Sequence, residues 1–323
     1  MPSADHTPTP ESSSERRKRF RNHFYRQVRW SDLDPQSIAE LIDRAAREDL
    51  EGAGFAERPS IPGDPTSELF LSSDQHISAT LVARQPLTIA GLAMAPAILE
   101  RFDSSLQIEF LAKDGDSVSP KTPLARVTGS APSLFTAERT LLNFVQMLSG
   151  IATETRRLTR LLEGSPTRLL DTRKTHPGYR ALIKYAVSAG GGWNHRLGLY
   201  DRIMLKDNHL AANSDSFETA FAQAIAKARK VRPDLPIEVE IDSLAQLPTV
   251  LAADPDMILF DNFSPEDIRK AVSMVQGRSL TEISGNVTAE NLPAIAHLGV
   301  DFISTGATVH QSRWVDLGLD VEA

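Results

Sequence analysis

The spacing of apolar residues varies along the chain, and its change of texture after Pro166 divides it. From Asp34, Ile38, Leu41, Ile42 and Ala45 recur at helical intervals toward Asp49, with Pro35 suited to a first turn. Residues 134–162 carry a second helical stripe, Leu134, Leu141, Leu142, Val145, Leu148 and Ile151, which predicts one long helix or two short ones. Between them the glycine- and proline-rich residues 51–67 read as a loop. Short alternating runs at 76–84, 87–94 and 106–113 predict strands, and a turn-rich segment with β-branched flanks follows at 114–129. After Pro166 strand and helix patterns alternate, as in a parallel sheet or α/β barrel. Strands are predicted at 168–171, 202–206, 237–242, 257–261, 280–284 and 301–305, with a short one near Asn194. Helix starts are marked by Ser264-Pro265-Glu266-Asp267 and Thr288-Ala289-Glu290. That makes an incomplete or seven-stranded barrel, whose chemistry belongs at the C-terminal strand ends.

Those ends carry charge. In order they supply Arg173 and Lys174, then His195 and Arg196, then Lys206 with Asp207 and Asn208. Glu240 and Asp242 follow, then Asp261 and Asn262, then Ser284-Gly285-Asn286 and Thr305-Gly306-Ala307. Strand alternation points Glu240 inward together with Glu238 and Asp242, although Asp242 reads equally well as a helix cap. Convergent cations clamp carboxylates or phosphates, arginines in bidentate fashion and lysines as point charges. Glu240 and Asp261 can hold sugar hydroxyls or share a Mg²⁺ with a diphosphate. The two late glycine segments suit a phosphate cradle of backbone N–H groups. Gly190, Gly191 and Gly192 would let backbone approach a ligand closely. Together these features fit a phosphorylated sugar meeting a carboxylated ring.

Composition narrows the setting. The 323 residues are 41% hydrophobic and 24% charged, as in a soluble globular protein, and no apolar run reaches the roughly 18 residues that span a bilayer. With no cysteine, disulfides, thiolate zinc sites and iron–sulfur clusters are excluded, which fits a cytoplasmic enzyme. The formal charge of −7 means that an anionic substrate must be captured by a local, partly desolvated cluster rather than by the whole surface. Residues 1–14 are Pro/Ser/Thr-rich and expected to be disordered. A basic run follows, Arg16 to Arg29, interleaved with Phe20, Phe24, Tyr25 and Trp30. Docking of this leader on its own protein or on a partner subunit is favoured over contact with nucleic acid.

Two other chemistries are compatible with parts of the chain. Lys206, ending a barrel strand among other cations, could form an imine as in a Schiff-base aldolase. Residues 106–129 have the look of the hammerhead fold of biotinyl and lipoyl carriers, but Lys121 lacks the flanking methionine or aspartate of a modified lysine. A small sheet domain that covers something is the better reading there.

Long ordered motifs go further. FTAERTLLNFVQMLSGIAT (135–153), DTRKTHPGYRALIKYAV (171–187), GGGWNHRLGLYDRIMLKDNH (190–209), EVEIDSL (238–244), FDNFSPE (260–266), EISGNVT (282–288) and GVDFISTGATVH (299–310) resemble the quinolinate phosphoribosyltransferase family, over about residues 32–321. The resemblance implies transfer of a phosphoribosyl group from phosphoribosyl diphosphate to quinolinate with decarboxylation, in de novo NAD synthesis, or a related reaction on another pyridine or base. It implies an N-terminal α/β sandwich and an incomplete, seven-stranded α/β barrel. The corresponding boundaries are a disordered, basic leader at 1–30, the sandwich at 31–134 rejoined by 308–323, and the barrel at 135–307. It also implies a homodimer or higher homo-oligomer in which Arg139 reaches the partner's site. By the same resemblance Arg173, His195, Arg196 and Lys206 contact the quinolinate carboxylates, and Lys174, with Thr172 beside it, sits between quinolinate and the phosphoribosyl group. Glu240 and Asp261 take the ribose and Mg²⁺–diphosphate side, and Ser284, Gly285, Asn286, Thr305, Gly306 and Ala307 the 5′-phosphate. Lys174, Glu240 and Asp261 are the implied catalytic residues. The family's EDLGxGDxT pattern is split here by an insertion at 51–62, and the basic leader lies outside the resemblance.

Overall fold

The computed structural model describes residues 11–206 and 217–322, so Asp207, Asn208 and the first ten residues of the leader lie outside the described residues. The chain forms two compact units. One comprises Met1–Arg26, Leu161–Arg173 and Trp193–Thr305, and the other Gln27–Arg160, Lys174–Gly192 and Gly306–Ala323.

In the first unit the apolar runs after Pro166 become six parallel strands: β6 (Arg168–Leu170), β7 (Ile203–Leu205), β8 (Ile237–Ile241), β9 (Met257–Asp261), β10 (Leu280–Ser284) and β11 (Phe302–Ser304). Their spatial order is β6-β11-β10-β9-β8-β7. A single parallel bridge from Leu170 to Trp193 adds the short strand expected near Asn194 at the β6 edge. The order is therefore that of a seven-stranded barrel left open between Trp193 and β7. Buried on both faces, such strands read as continuous apolar runs.

Polar residues in these strands mark the inward face. In β8, Ile237, Val239 and Ile241 alternate with Glu238 and Glu240. Met257, Leu280 and Phe302 each open a strand and pack with Leu170 against Phe20 and Phe24 of the leader. The leader, expected to be disordered to residue 14, is helical from Ser13. Ser12 accepts the Glu15 N–H while Glu15 accepts the Ser12 N–H, a capping box that starts α1 (Ser13–Arg19), and α2 (Arg21–Phe24) follows. Docking of the leader on its own barrel satisfies its charge as well as its aromatics: Arg16 pairs with Asp254 and Asp256.

The second unit holds an antiparallel sheet, β12-β1-β5-β3, from β1 (His76–Ala83), β3 (Gln107–Phe110), β5 (Pro123–Ser130) and β12 (Leu317–Val321), and a two-stranded ribbon of β2 (Leu87–Thr88) with β4 (Ser117–Val118). Helix α3 (Pro35–Glu51) is capped by Asp34, which accepts the N–H groups of Gln36 and Ser37, and ends at Gly52 in the left-handed region. The stripe at 134–162 is one helix, α6 (Ala131–Arg160), with all six predicted apolar positions buried. The run at 87–94 is a strand only to Thr88. At Gly91 (φ 88°) a Cβ would lie 2.7 Å from Leu148, and the chain turns there into Leu92–Met94 and the helix Ala95–Phe102. The loop at 51–67 also ends early, in a short helix, Pro65–Phe70, capped by Asp64.

Candidate active site

The segment that carries His195 and Arg196 is fixed from the end of β6. Asp171, fully buried, accepts the His195 N–H at 2.8 Å and the Asn194 side-chain amide at 3.0 Å. Two residues on, Arg173 has a buried Nε with no hydrogen-bond partner among the described residues. Arg196 is 9% exposed, and its pKa is lowered by burial and then by the charge of Arg173. Two guanidiniums therefore press on one partly desolvated space, a setting that an anion relieves.

Beneath them lies a buried ionic cluster. Arg202 donates to Glu238 at 2.7 Å, and Glu238 stands 3.3 Å from His195 Nε2. Glu282, on β10, approaches the same Nε2 at 3.4 Å, and neither of its oxygens has a hydrogen-bond partner among the described residues. Burial alone would suppress the charge of His195, but Glu282 and Glu238 outweigh it and raise its pKa to about 9. Glu238 is held below the usual carboxylate range: burial works against its charge, and His195 and Arg202 overcome that.

Toward the strand ends, the register pairs Leu205 with Val239, which brings Lys206 level with Glu240. The Lys206 ammonium donates directly to the Glu240 carboxylate. Asp261 closes β9 opposite Ser284, the last residue of β10. Beyond them Gly285 and Asn286 turn through the left-handed region (φ 83° and 49°), and Asn286 donates to Asn262 at 2.9 Å, which donates in turn to Asp261 at 2.9 Å. A Cβ on Gly285 would stand 2.1 Å from Asn262 Oδ1, so only glycine allows this close approach. Thr305 follows β11 and donates its N–H to Leu170 O at 3.1 Å.

The first unit thus holds Thr172, Arg173, His195, Arg196, Lys206, Glu240, Asp261, Ser284, Gly285, Asn286 and Thr305 on its strand ends and the turns after them. The second unit holds Arg139, exposed on α6, and Lys174, Gly306 and Ala307. Within that unit Lys174 and Gly306 meet closely: a Cβ on Gly306 would lie 3.1 Å from Lys174 Cδ. Asp242 is exposed, and Ser243 rather than Asp242 caps the turn that follows. The triple glycine serves a different purpose from the one expected. Cβ atoms on Gly190 and Gly192 would collide with Ala152 and Thr155 of α6, at 2.5 and 2.8 Å, so these glycines admit a helix rather than a ligand. Spacing alone missed Asp171, Arg202 and Glu282. The last two had a signal, since each is a charge set in or against an apolar strand run.

Two family models together match most of the chain: quinolinate phosphoribosyl transferase, N-terminal domain, over residues 64–149, and its C-terminal domain over residues 151–320. The chain is 38% identical over 297 residues to a nicotinate-nucleotide pyrophosphorylase (carboxylating) of Mycobacterium leprae, covering 90% of this chain and 99% of that one. A chloroplastic enzyme of the same name from Arabidopsis thaliana is 36% identical over 285 residues, 83% of this chain and 80% of that one. The solved nicotinate-nucleotide pyrophosphorylase of Francisella tularensis superposes with a TM-score of 0.82 at 36% identity, covering 92% of this chain and all of that one. With both domains matched and the strand-end charges in place, the chain belongs to the quinolinate phosphoribosyltransferase family.

Proposed function

We propose that the chain transfers the phosphoribosyl group of phosphoribosyl diphosphate to quinolinate at the C-terminal mouth of its parallel barrel. The products are nicotinate mononucleotide, diphosphate and CO₂, a step of de novo NAD synthesis. The reading rests above all on Arg173, whose buried Nε has no hydrogen-bond partner among the described residues and whose charge lowers the pKa of the buried Arg196. A doubly ionised pyridine supplies the missing acceptors in bidentate geometry.

The residue roles follow from charge and position. Arg173, Arg196 and Lys206 hold the two carboxylates and turn the ring nitrogen toward the anomeric carbon, which converts an encounter into an oriented attack. His195, with Nε2 on Glu238 and Glu282 and Nδ1 at the Arg196 N–H, contributes its charge from behind rather than a direct contact. The nitrogen lone pair forms the bond to that carbon as the bond to diphosphate breaks. Glu240 and Asp261 face the ribose, where positive character develops, and Lys174 lies between the two substrates. Once alkylated, the ring nitrogen accepts the electron pair of the adjacent C–CO₂⁻ bond, and CO₂ leaves. No protein nucleophile is required. Ser284, Gly285, Asn286, Thr305, Gly306 and Ala307 receive the 5′-phosphate.

Glu240 and Asp261 suit a hard divalent cation: both are half-buried carboxylates, on neighbouring strands and the same face of the sheet. Mg²⁺ bound there would neutralise charge on departing diphosphate. Arg139, exposed on α6, is assigned to the site of a second copy, so the working unit is a dimer. None of the described helices is long and apolar enough to cross a membrane.

The test is direct. Protein, Mg²⁺ and phosphoribosyl diphosphate are mixed with quinolinate or, in parallel, nicotinate. Mononucleotide and CO₂ from quinolinate alone are expected. Turnover of nicotinate without CO₂ would move the chain to a sister activity.

A further inference from the structure

The basic leader lies outside the residues matched by either family model, yet it grips the loop that carries His195 and the proposed substrate ligand Arg196. Arg26 holds that loop at both ends. Its carbonyl accepts the Asn194 N–H at 2.8 Å, one residue before His195. Its guanidinium donates to both oxygens of Asp201, at 2.9 and 3.0 Å, and Asp201 in turn accepts the Leu197 N–H at 2.8 Å, one residue after Arg196. A second strut runs beside it. The fully buried Arg202 donates to the His23 carbonyl at 2.9 Å, lies 4.6 Å from the centroid of the Phe24 ring, and donates to Glu238 beneath His195. Phe20 and Phe24 anchor the leader in the barrel floor, so the struts start from a packed base.

Resting on the function proposed above, we infer that Arg26 is a positioning residue for dicarboxylate binding, holding residues 194–202 so that Arg196 faces the substrate with the His195 ring fixed behind it. Asp201 is built for this contact. Burial works against its charge, but the Leu197 N–H and Arg26 keep its pKa below the ordinary value. Arg26 touches no reacting atom. It acts through the loop, and a shift of such a clamp by an ångström is enough to weaken an oriented complex.

The experiment uses the full chain with Arg26→Met, Arg26→Lys and, separately, Asp201→Asn. Turnover gives KM for each substrate, and calorimetry gives quinolinate affinity directly. Arg26→Met should weaken quinolinate binding roughly tenfold, with KM for phosphoribosyl diphosphate and kcat changed far less. Arg26→Lys should recover part of the loss, because an ammonium can make one of the two contacts. A purely structural role predicts a lower melting temperature with no selective change in quinolinate affinity, and that result overturns the inference. If Arg26→Met does not fold, Asp201→Asn removes the charge and one of the two acceptors of the same contact with little change in volume, and unaltered quinolinate affinity there overturns it equally. Inactive wild-type protein that binds no quinolinate would defeat the proposed function instead, so the two failures are distinguishable.

Discussion

The carboxylate of Glu282, wholly buried and with no hydrogen bond to either oxygen among the described residues, lies 3.4 Å from Nε2 of His195. Two local effects on that ring conflict. The Arg196 N–H points at Nδ1 at 2.8 Å, which favours a ring carrying only its Nε2 proton. Charge balance favours the imidazolium, because Arg202 alone cannot offset Glu238 and Glu282. A buried uncompensated charge costs several kcal/mol, against about 1 kcal/mol for one backbone hydrogen bond, so the imidazolium prevails.

A stability profile follows. The folded-state pKa of His195, about 9, lies above the ordinary 6.5. The stabilisation is therefore complete below the unfolded value and is lost as pH rises through the folded one. It amounts to about 3 kcal/mol. Urea unfolding from mildly acidic to alkaline pH should show this decline, and Glu282→Gln should shift it to lower pH. A wild-type profile that is flat across that window would remove the charge assignment.

Arg202 and Glu238 form a pair with both side chains fully buried. Arg202→Met leaves Glu238 facing His195 alone and should destabilise the fold by about 3–5 kcal/mol. Adding Glu238→Gln removes the stranded charge and should recover part of that loss. Chemical denaturation of both single variants and the double variant gives the coupling; simple additivity would mean that the two act independently.

Much of the barrel was legible because doubly buried strands are apolar runs with a charge where they stop. Lys206, Glu240 and Asp261 were visible for that reason. What spacing could not show were partners far apart in the chain: Arg26 with Asp201 at a separation of 175 residues, and Arg202 with Glu238 at 36. The triple glycine was misleading because closeness to a helix and closeness to a ligand require the same residue. The run at 87–94 failed as a strand because the left-handed turn at Gly91 depends on contact with Leu148, 57 residues along.

Gly285→Ala should damage the phosphoribosyl side selectively. Its φ of 83° is strained for alanine, and the new methyl would meet Asn262 Oδ1 at 2.1 Å and Asp261 Oδ1 at 3.0 Å. About 1–3 kcal/mol of strain is expected, together with displacement of Asp261. KM for phosphoribosyl diphosphate should rise more than KM for quinolinate. Asn262→Gly in the same chain removes the nearer obstacle and should restore part of the stability; no recovery would put the strain in φ alone.

Sharing of the site between two copies, as proposed for Arg139, can be tested without an interface structure. Arg139 lies exposed on α6, and Lys206 sits at the end of a barrel strand against Glu240. If each site takes Arg139 from one copy and Lys206 from the other, Arg139→Met and Lys206→Met should each abolish most quinolinate turnover. Mixed, the subunits re-pair. A heterodimer then holds one site with both residues intact and one with neither, so random pairing of equal amounts restores about a quarter of the wild-type sites. Were Arg139 to serve the barrel of its own chain, every site in the mixture would lack one cation or the other. Activity of the re-paired mixture, measured against each variant alone, decides between them. Recovery near a quarter supports sharing across the interface, and no recovery despite demonstrated subunit exchange refutes it.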